Sequence, residues 1–197
     1  MSDRPTKERI LDAAEEIMLE HSFHSVGLNQ ILSAVKVPKG SFYHYFKSKE
    51  DFGVEILRHY ARNSNAIKHQ LLFETDPEKD PIERMFCYFE AAIERGRENG
   101  GKCPCLIQKL AAEVANFSEP MREAVAEGYA QSISIFTKLF DEAVEKGSLP
   151  RSTNTTTEAE FLMVVWVGAL QRMLIFRDAE ALRFGVDILR ERFSKVD

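Results

Sequence analysis

The side chains best equipped for chemistry in this chain fall in two places. Lys36, Lys39, Tyr43, His44, Lys47 and Lys49 crowd one short stretch near the N-terminus, and the triplet Cys103-Pro104-Cys105 lies mid-chain. The first group supplies hydrogen-bond donors, positive charge and a flat ring, the equipment for gripping phosphate and reading base edges. The second supplies nucleophilic sulfur. A thiol at the start of a helix has its thiolate favoured by the dipole, and Lys102 and Lys109 stand close in sequence. A thiolate adds to soft electrophiles or is oxidised to sulfenic acid. Metal binding is not expected, because all five histidines precede residue 70 and the cysteine pair lacks further ligands. A thiol-dependent enzyme such as a peroxidase, the competing reading, needs a positioned base or an oxyanion site, and no histidine follows residue 70 to serve. Cys87, flanked by Glu83, Glu90 and Glu94 on its helical face, reads as incidental.

The elements that would position these groups are helices. Ile10, Ala13, Ala14, Ile17 and Met18 recur at spacings of three and four and predict a first amphipathic helix. Leu28, Ile31, Leu32 and Val35 predict a short second one. Pro38 fits the first turn of a third, running through Phe46, and Ser48 is a fitting N-cap for a longer fourth. The two prolines and four acidic residues of the segment from Glu74 to Pro81 mark a break. Ile82, Phe86, Phe89 and Ile93 then predict a fifth helix ended by Gly100-Gly101. A sixth is expected from near Pro104 to Asn116, and a long seventh from Ser118 to Gly147. Thr157 with Glu160 suggests a capping box opening the eighth, and a ninth runs from about Ala179 to Phe193. No alternating strand pattern stands out. The expectation is an all-α protein of about nine helices, with a three-helix helix-turn-helix head (residues 1–50) and a larger ligand-sensing and dimerisation body (51–197). The fourth helix links the two, to about residue 72.

The run Lys39-Gly-Ser-Phe-Tyr-His-Tyr-Phe-Lys-Ser-Lys-Glu50, preceded by an amphipathic helix and a tight turn at Lys36-Val37, resembles the DNA-reading signature of the TetR family of repressors, over Thr6 to Phe52. The resemblance implies that Lys39, Ser41, Tyr43 and His44 touch the major groove or its flanking phosphates. It implies that Lys49 binds a phosphate and that Gln30, Asn29, Arg4 and Thr6 add contacts. Gly40 removes a side chain where the helix approaches the duplex, while Phe42, Tyr45 and Phe46 are expected to face the head's own core. Lys47 reads as a solvated charge.

The segment from Gly101 to Arg122 resembles the NemR/AcuR-like branch of the same family, which implies that Cys105, at the start of the sixth helix, is a sensing thiol. Cys103, two residues away, is a second candidate. In the redox-sensing member of that branch a lysine on the eighth helix partners the cysteine, but here the matching region reads Leu170-Gln-Arg-Met-Leu174. Electrophile or small-ligand sensing is therefore favoured over that oxidation chemistry. Phe86, Phe89, Phe136 and Trp166 are candidate pocket-lining aromatics, with core packing the plainer role; a reversible ligand there is the alternative sensor.

The resemblance also implies a homodimer through the last two helices, which suits an eighth helix apolar nearly all round. A dimer presents two recognition helices to half-sites about 34 Å apart, hence a palindromic operator. Net charge is −5, yet residues 1–50 hold seven basic and seven acidic residues, so the acidic excess lies in the body. The longest apolar run, Phe161 to Leu170, is about half a membrane span. With a polar start, the reading is a cytoplasmic repressor without cofactor, whose partners are double-stranded operator DNA, a second copy and a small-molecule inducer. A helix-turn-helix used for protein contact is a further alternative.

Overall fold

A computed structural model describes residues 5–101 and 105–193. Among these residues the chain is all α-helical: α1 (Thr6–Glu20), α2 (Leu28–Ala34), α3 (Lys39–Tyr45), α4 (Lys49–His69), α5 (Pro81–Glu98), α6 (Leu106–Val114), α7 (Glu119–Glu145), α8 (Thr155–Phe176) and α9 (Glu180–Phe193). A wider, π-type turn over Gln70–Glu74 extends α4, closed by a bond from the Thr75 N–H to the Gln70 carbonyl at 3.0 Å.

The chain divides into two compact units. The first comprises Met1–Asn63 and Cys105–Gly128, and the second Ser64–Pro104 and Tyr129–Asp197. Cys105 and α6 thus belong to the unit that carries the helix-turn-helix.

In the first unit the apolar stripe of α1 (Ile10, Leu11, Ala14, Met18) is buried with Ile31 and Leu32 of α2. Phe42 and Phe46 pack on Phe52 of α4 with ring centroids 5.0–5.4 Å apart. The turn between α2 and α3 is a Schellman motif. The Val37 N–H reaches the Leu32 carbonyl and the Lys36 N–H the Ser33 carbonyl, with Lys36 in the left-handed region at φ 56°. Gly100 and Gly147 fill the same position after α5 and α7. Pro38 is the N-cap of α3 rather than a residue of its first turn; its extended ψ places it just outside the helix. Ser48 caps α4 by accepting from the Asp51 N–H at 3.0 Å, and the Asp51 carboxylate accepts from the Lys47 N–H at 2.8 Å.

In the second unit α8 and α9 pack together closely enough that a Cβ on Gly185 would lie 2.8 Å from that of Ala169. Asp80, just before Pro81, caps α5. Helix α8 begins at Thr155, earlier than the Thr157 expectation. Asn154 takes the cap and accepts the Thr157 N–H at 3.1 Å, so Thr157 supplies the donor in that motif. The buried Arg84 guanidinium donates to the Leu72 carbonyl in the π-type turn at 2.6 Å and pairs with Glu142. By length and composition α8 could cross a bilayer. Its apolar surface is divided between residues buried within the unit, such as Leu162, Trp166 and Met173, and exposed ones.

Candidate DNA-reading face and sensor thiol

Helix α3 separates its side chains cleanly. Phe42 is fully buried, whereas Lys39, Gly40, Tyr43 and His44 are exposed and Ser41 is partly so. Tyr43, at 58% exposure, rests edge-on against Phe42 with the ring centroids 5.4 Å apart. A Cβ on Gly40 would meet nothing within 4 Å. A glycine inside a helix costs about 1 kcal/mol relative to alanine, and no packing among the described residues offsets that here. Tyr45, expected to face the core, is only half-buried. One reason is that Phe42 and Phe46 already occupy the contact with Phe52. Gln30 and Asn29 are exposed on α2, and Thr6 opens α1 half-buried. Arg4 lies outside the described residues.

Lys49 is held within the unit. Its ammonium donates to the carbonyls of Val26 at 3.1 Å and His24 at 3.4 Å, and sits 5.1 Å from the Phe23 ring centroid. It therefore ties the start of α4 to the loop leading into α2. Ser118, at the start of α7, donates to Glu50 at 2.6 Å next to it.

Cys105 is the N-cap residue of α6, half-buried and not in a disulfide. Cys103 and Lys102 lie outside the described residues. The Lys109 ammonium donates to the Leu19 carbonyl, in the last turn of α1, at 2.5 Å. The neighbour that sequence reasoning missed is Tyr60 on α4, whose hydroxyl is hydrogen-bonded to the Cys105 sulfur and to the Leu106 N–H. Two further residues were missed. Glu113, two turns along α6 from Cys105, accepts the N–H groups of Phe23 at 3.1 Å and His24 at 3.0 Å, and its Oε1 lies 2.8 Å from His24 Nδ1. Burial pushes the Glu113 carboxyl up, but the bonds from His24 and Phe23 outweigh it and hold the group below the usual carboxylate range. His59 Nε2, buried on α4, lies 2.8 Å from Asp12 Oδ1 on α1 and 3.1 Å from Asn63 Nδ2. Helix α6 thus holds three points of the head's framework: Tyr60 on α4, the end of α1, and the loop before α2.

In the second unit Phe89, Phe136 and Trp166 form one aromatic cluster. Phe89 and Phe136 are stacked at 5.8 Å, and Trp166 lies 4.6 Å from Phe89. Phe89 and Phe136 are almost completely buried and Trp166 nearly so. The Lys68 ammonium lies beside this cluster, buried, 2.7 Å from the Ser132 hydroxyl and 5.7 Å from the Phe136 centroid. Phe86 stacks instead under the Arg190 guanidinium, and Cys87 is exposed, with the Lys79 ammonium 3.5 Å from its sulfur. Among the described residues no cluster of three metal-ligating side chains occurs.

Residues 10–56, which include this helix-turn-helix, match the family model of bacterial regulatory proteins of the tetR family, and residues 81–189 match that of the tetracyclin repressor-like C-terminal domain. The chain belongs to the TetR family. The transcriptional repressor NemR of Escherichia coli K12 is 34% identical over 184 residues, covering 92% of this chain and 90% of NemR. The transcriptional repressor DhaR of Mycobacterium sp. GP1 is 31% identical over 92% of this chain and 89% of its own length. The crystal structure of reduced E. coli NemR superposes with a TM-score of 0.83 at 31% identity, covering 95% of this chain and 96% of that one. TetR-family regulators bind DNA operators, act as dimers and respond to small-molecule ligands, which makes the exposed face of α3 and the thiol at α6 the two places to look for function.

Proposed function

We propose that this TetR-family regulator is a cytoplasmic repressor that binds a palindromic operator as a homodimer and leaves it when Cys105 reacts with a soft electrophile. The observation that carries the reading is the polar, exposed face of α3, with Tyr43 projecting and Gly40 open to close approach. Lys39, Ser41, Tyr43 and His44 meet base edges and phosphates from that face, and Thr6 and Gln30 add contacts beside it. Lys49 acts through the loop it braces as well as through its charge. The repressor names of NemR and DhaR support repression as the direction of control.

Self-association through α8 and α9 is supported by their exposed apolar side chains. Val164, Ile175 and Phe176 on α8 and Phe184 on α9 are all more than half exposed, and Phe161 stands beside them. A patch of this kind is the usual mark of an interface. Release follows from a two-state equilibrium in which the modified thiol favours a conformation that no longer fits both half-sites. Because α6 grips α1, α4 and the loop before α2, a disturbance at Cys105 acts within the unit that carries the recognition helix.

The test is an operator titration with two variants. Tyr43→Ala lowers operator affinity by at least tenfold with the dimer intact, on the scale of ~1–3 kcal/mol per lost base contact. Cys105→Ser keeps operator binding and loses release by electrophile. Unchanged affinity in the first would remove α3 as the reading helix. Release that survives in the second would move the inducer to the aromatic cluster beside Lys68.

A further inference from the structure

The turn of the helix-turn-helix carries a lysine where the backbone favours glycine. Lys36 has φ 56° in the Schellman turn between α2 and α3, its N–H bonded to the Ser33 carbonyl at 3.2 Å and the next N–H, of Val37, to the Leu32 carbonyl at 2.9 Å. Gly100 and Gly147 take the same position after α5 and α7, without a left-handed penalty. The dipole of α2 favours a cation there, but by less than the left-handed backbone costs a lysine. Strain of this kind persists where function uses it. The Lys36 side chain is exposed, and among the described residues no carboxylate pairs with it. Lys7, by contrast, is paired with Glu55 at 2.7 Å, and Lys49 is drawn onto the Val26 and His24 carbonyls. From α1, Arg9 donates to the Val35 carbonyl at 2.9 Å. That bond fixes the peptide just before Lys36 and puts a second cation beside the turn.

We propose that Lys36 is a phosphate-binding residue for operator DNA, reaching the sugar–phosphate backbone that flanks the groove entered by α3. This rests on the reading of α3 as the DNA-reading helix. Lys36 stands three residues before Lys39, the first residue of α3, so at most about 10–11 Å of chain separates their Cα atoms. The major groove is about 12 Å wide, which puts a row of phosphates about 6 Å to either side of a helix lying along its middle. A lysine on the turn therefore falls over the backbone while the side chains of α3 face base edges. Its ammonium is a point charge with three donors, suited to a phosphate oxygen and indifferent to the base behind it. The braced turn holds the root of the side chain in place. In the dimer the contact is made twice, once on each half-site, and it strengthens operator and non-operator duplex alike.

The experiment is a salt titration of the full-length dimer on two duplexes, followed by fluorescence anisotropy. One is DNA from upstream of its own gene, and the other a scrambled duplex of the same length and composition. Lys36→Gln removes the charge and keeps a side chain on the left-handed backbone, whereas Lys36→Arg keeps the charge. Arg151→Gln removes one charge from an exposed site in the second unit and controls for net charge. Each phosphate contact contributes about 0.9 to the slope of log affinity against log salt, so two lost contacts flatten it by about 1.8 in Lys36→Gln. The deficit of this variant against wild type then shrinks about tenfold between about 50 and 200 mM salt, on both duplexes. Lys36→Arg and Arg151→Gln keep the wild-type slope. Lys36→Gly gives a second readout, because it relieves the backbone and so weakens DNA binding with no loss of thermal stability. An unchanged slope in Lys36→Gln would overturn the proposal, as would an equal flattening by Arg151→Gln. A loss confined to the upstream duplex would also overturn it, by making Lys36 a reader of bases. The two failures are distinguishable: weaker binding in Tyr43→Ala beside an unchanged slope in Lys36→Gln removes the phosphate contact alone, whereas unchanged binding in Tyr43→Ala removes the α3 reading and this proposal with it.

Discussion

Removing the Glu113 carboxylate tests whether α6 holds the loop that leads into the helix-turn-helix. The side chain is 22% exposed and accepts two backbone N–H groups, and it lies within hydrogen-bonding distance of the His24 ring. A hydrogen bond to a charged group contributes ~1.5–3 kcal/mol. The bond from the Phe23 N–H is partly buried and sits at the low end of that range, because Glu113 retains some solvent. Both bonds to His24 are exposed, and water replaces most of their value. Glu113→Ala should therefore cost about 2 kcal/mol, and Glu113→Gln, which keeps one acceptor oxygen without the charge, about 1 kcal/mol. For a chain of this length the Ala variant melts ~4–8 °C lower. The pH dependence has a definite sign. The folded carboxyl is held below its unfolded value, so its contribution is complete above the unfolded value, about pH 4.3, and is lost as pH falls through the depressed one. The wild-type chain should lose part of its advantage over Glu113→Gln in that acid window. Paired thermal melts at pH 7 and at pH 3 measure both effects. An Ala variant within ~0.5 kcal/mol of wild type at pH 7, the range of an ordinary surface change, would show that the grip is not made.

Gly100 and Gly101 form an internally controlled pair, since both have positive φ but differ in surroundings. A Cβ on Gly100 meets nothing within 4 Å, whereas one on Gly101 lies 2.4 Å from the Arg177 carbonyl carbon. Gly100→Ala should cost ~1–2 kcal/mol for the left-handed backbone alone, and Gly101→Ala at least ~1 kcal/mol more, because backbone must move; urea unfolding that ranks them equally would contradict the packing. Lys36 stands in the opposite situation, a side chain where its Schellman counterparts Gly100 and Gly147 have none. Lys36→Gly relieves about 1–2 kcal/mol of left-handed strain and gives back about 0.5–1 in unfolded-chain entropy, so a small rise in melting temperature is expected. A fall would show that Lys36 is held by more than its backbone.

The helices were legible in the sequence because each buries one stripe, and a stripe such as Ile10, Ala14 and Met18 declares its own period. The glycine stops at Gly100 and Gly147 were legible for a similar reason, since left-handed backbone selects that residue. The exposed set on α3 could be picked out by residue type alone. What periodicity does not carry is which face meets which. Tyr60 and Cys105 are far apart in sequence, as are Glu113 and Phe23, and nothing in either local pattern announces the contact. The π-type turn at Gln70–Glu74 likewise leaves no mark in composition, because it differs from an α-turn only in which carbonyl each N–H reaches. The lysines were read from charge and position in the motif. Lys49 and Lys109 instead place their ammonium groups on backbone carbonyls, at the loop before α2 and at the end of α1.

The central claim is that one protein holds operator DNA through α3 and gives it up through Cys105. Fluorescence anisotropy of the reduced protein on DNA from upstream of its own gene, before and after one equivalent per thiol of a soft electrophile, joins the two halves directly. The account predicts tight binding that weakens steeply with salt and is lost as Cys105 is modified. Tight binding that persists on fully modified protein would contradict it.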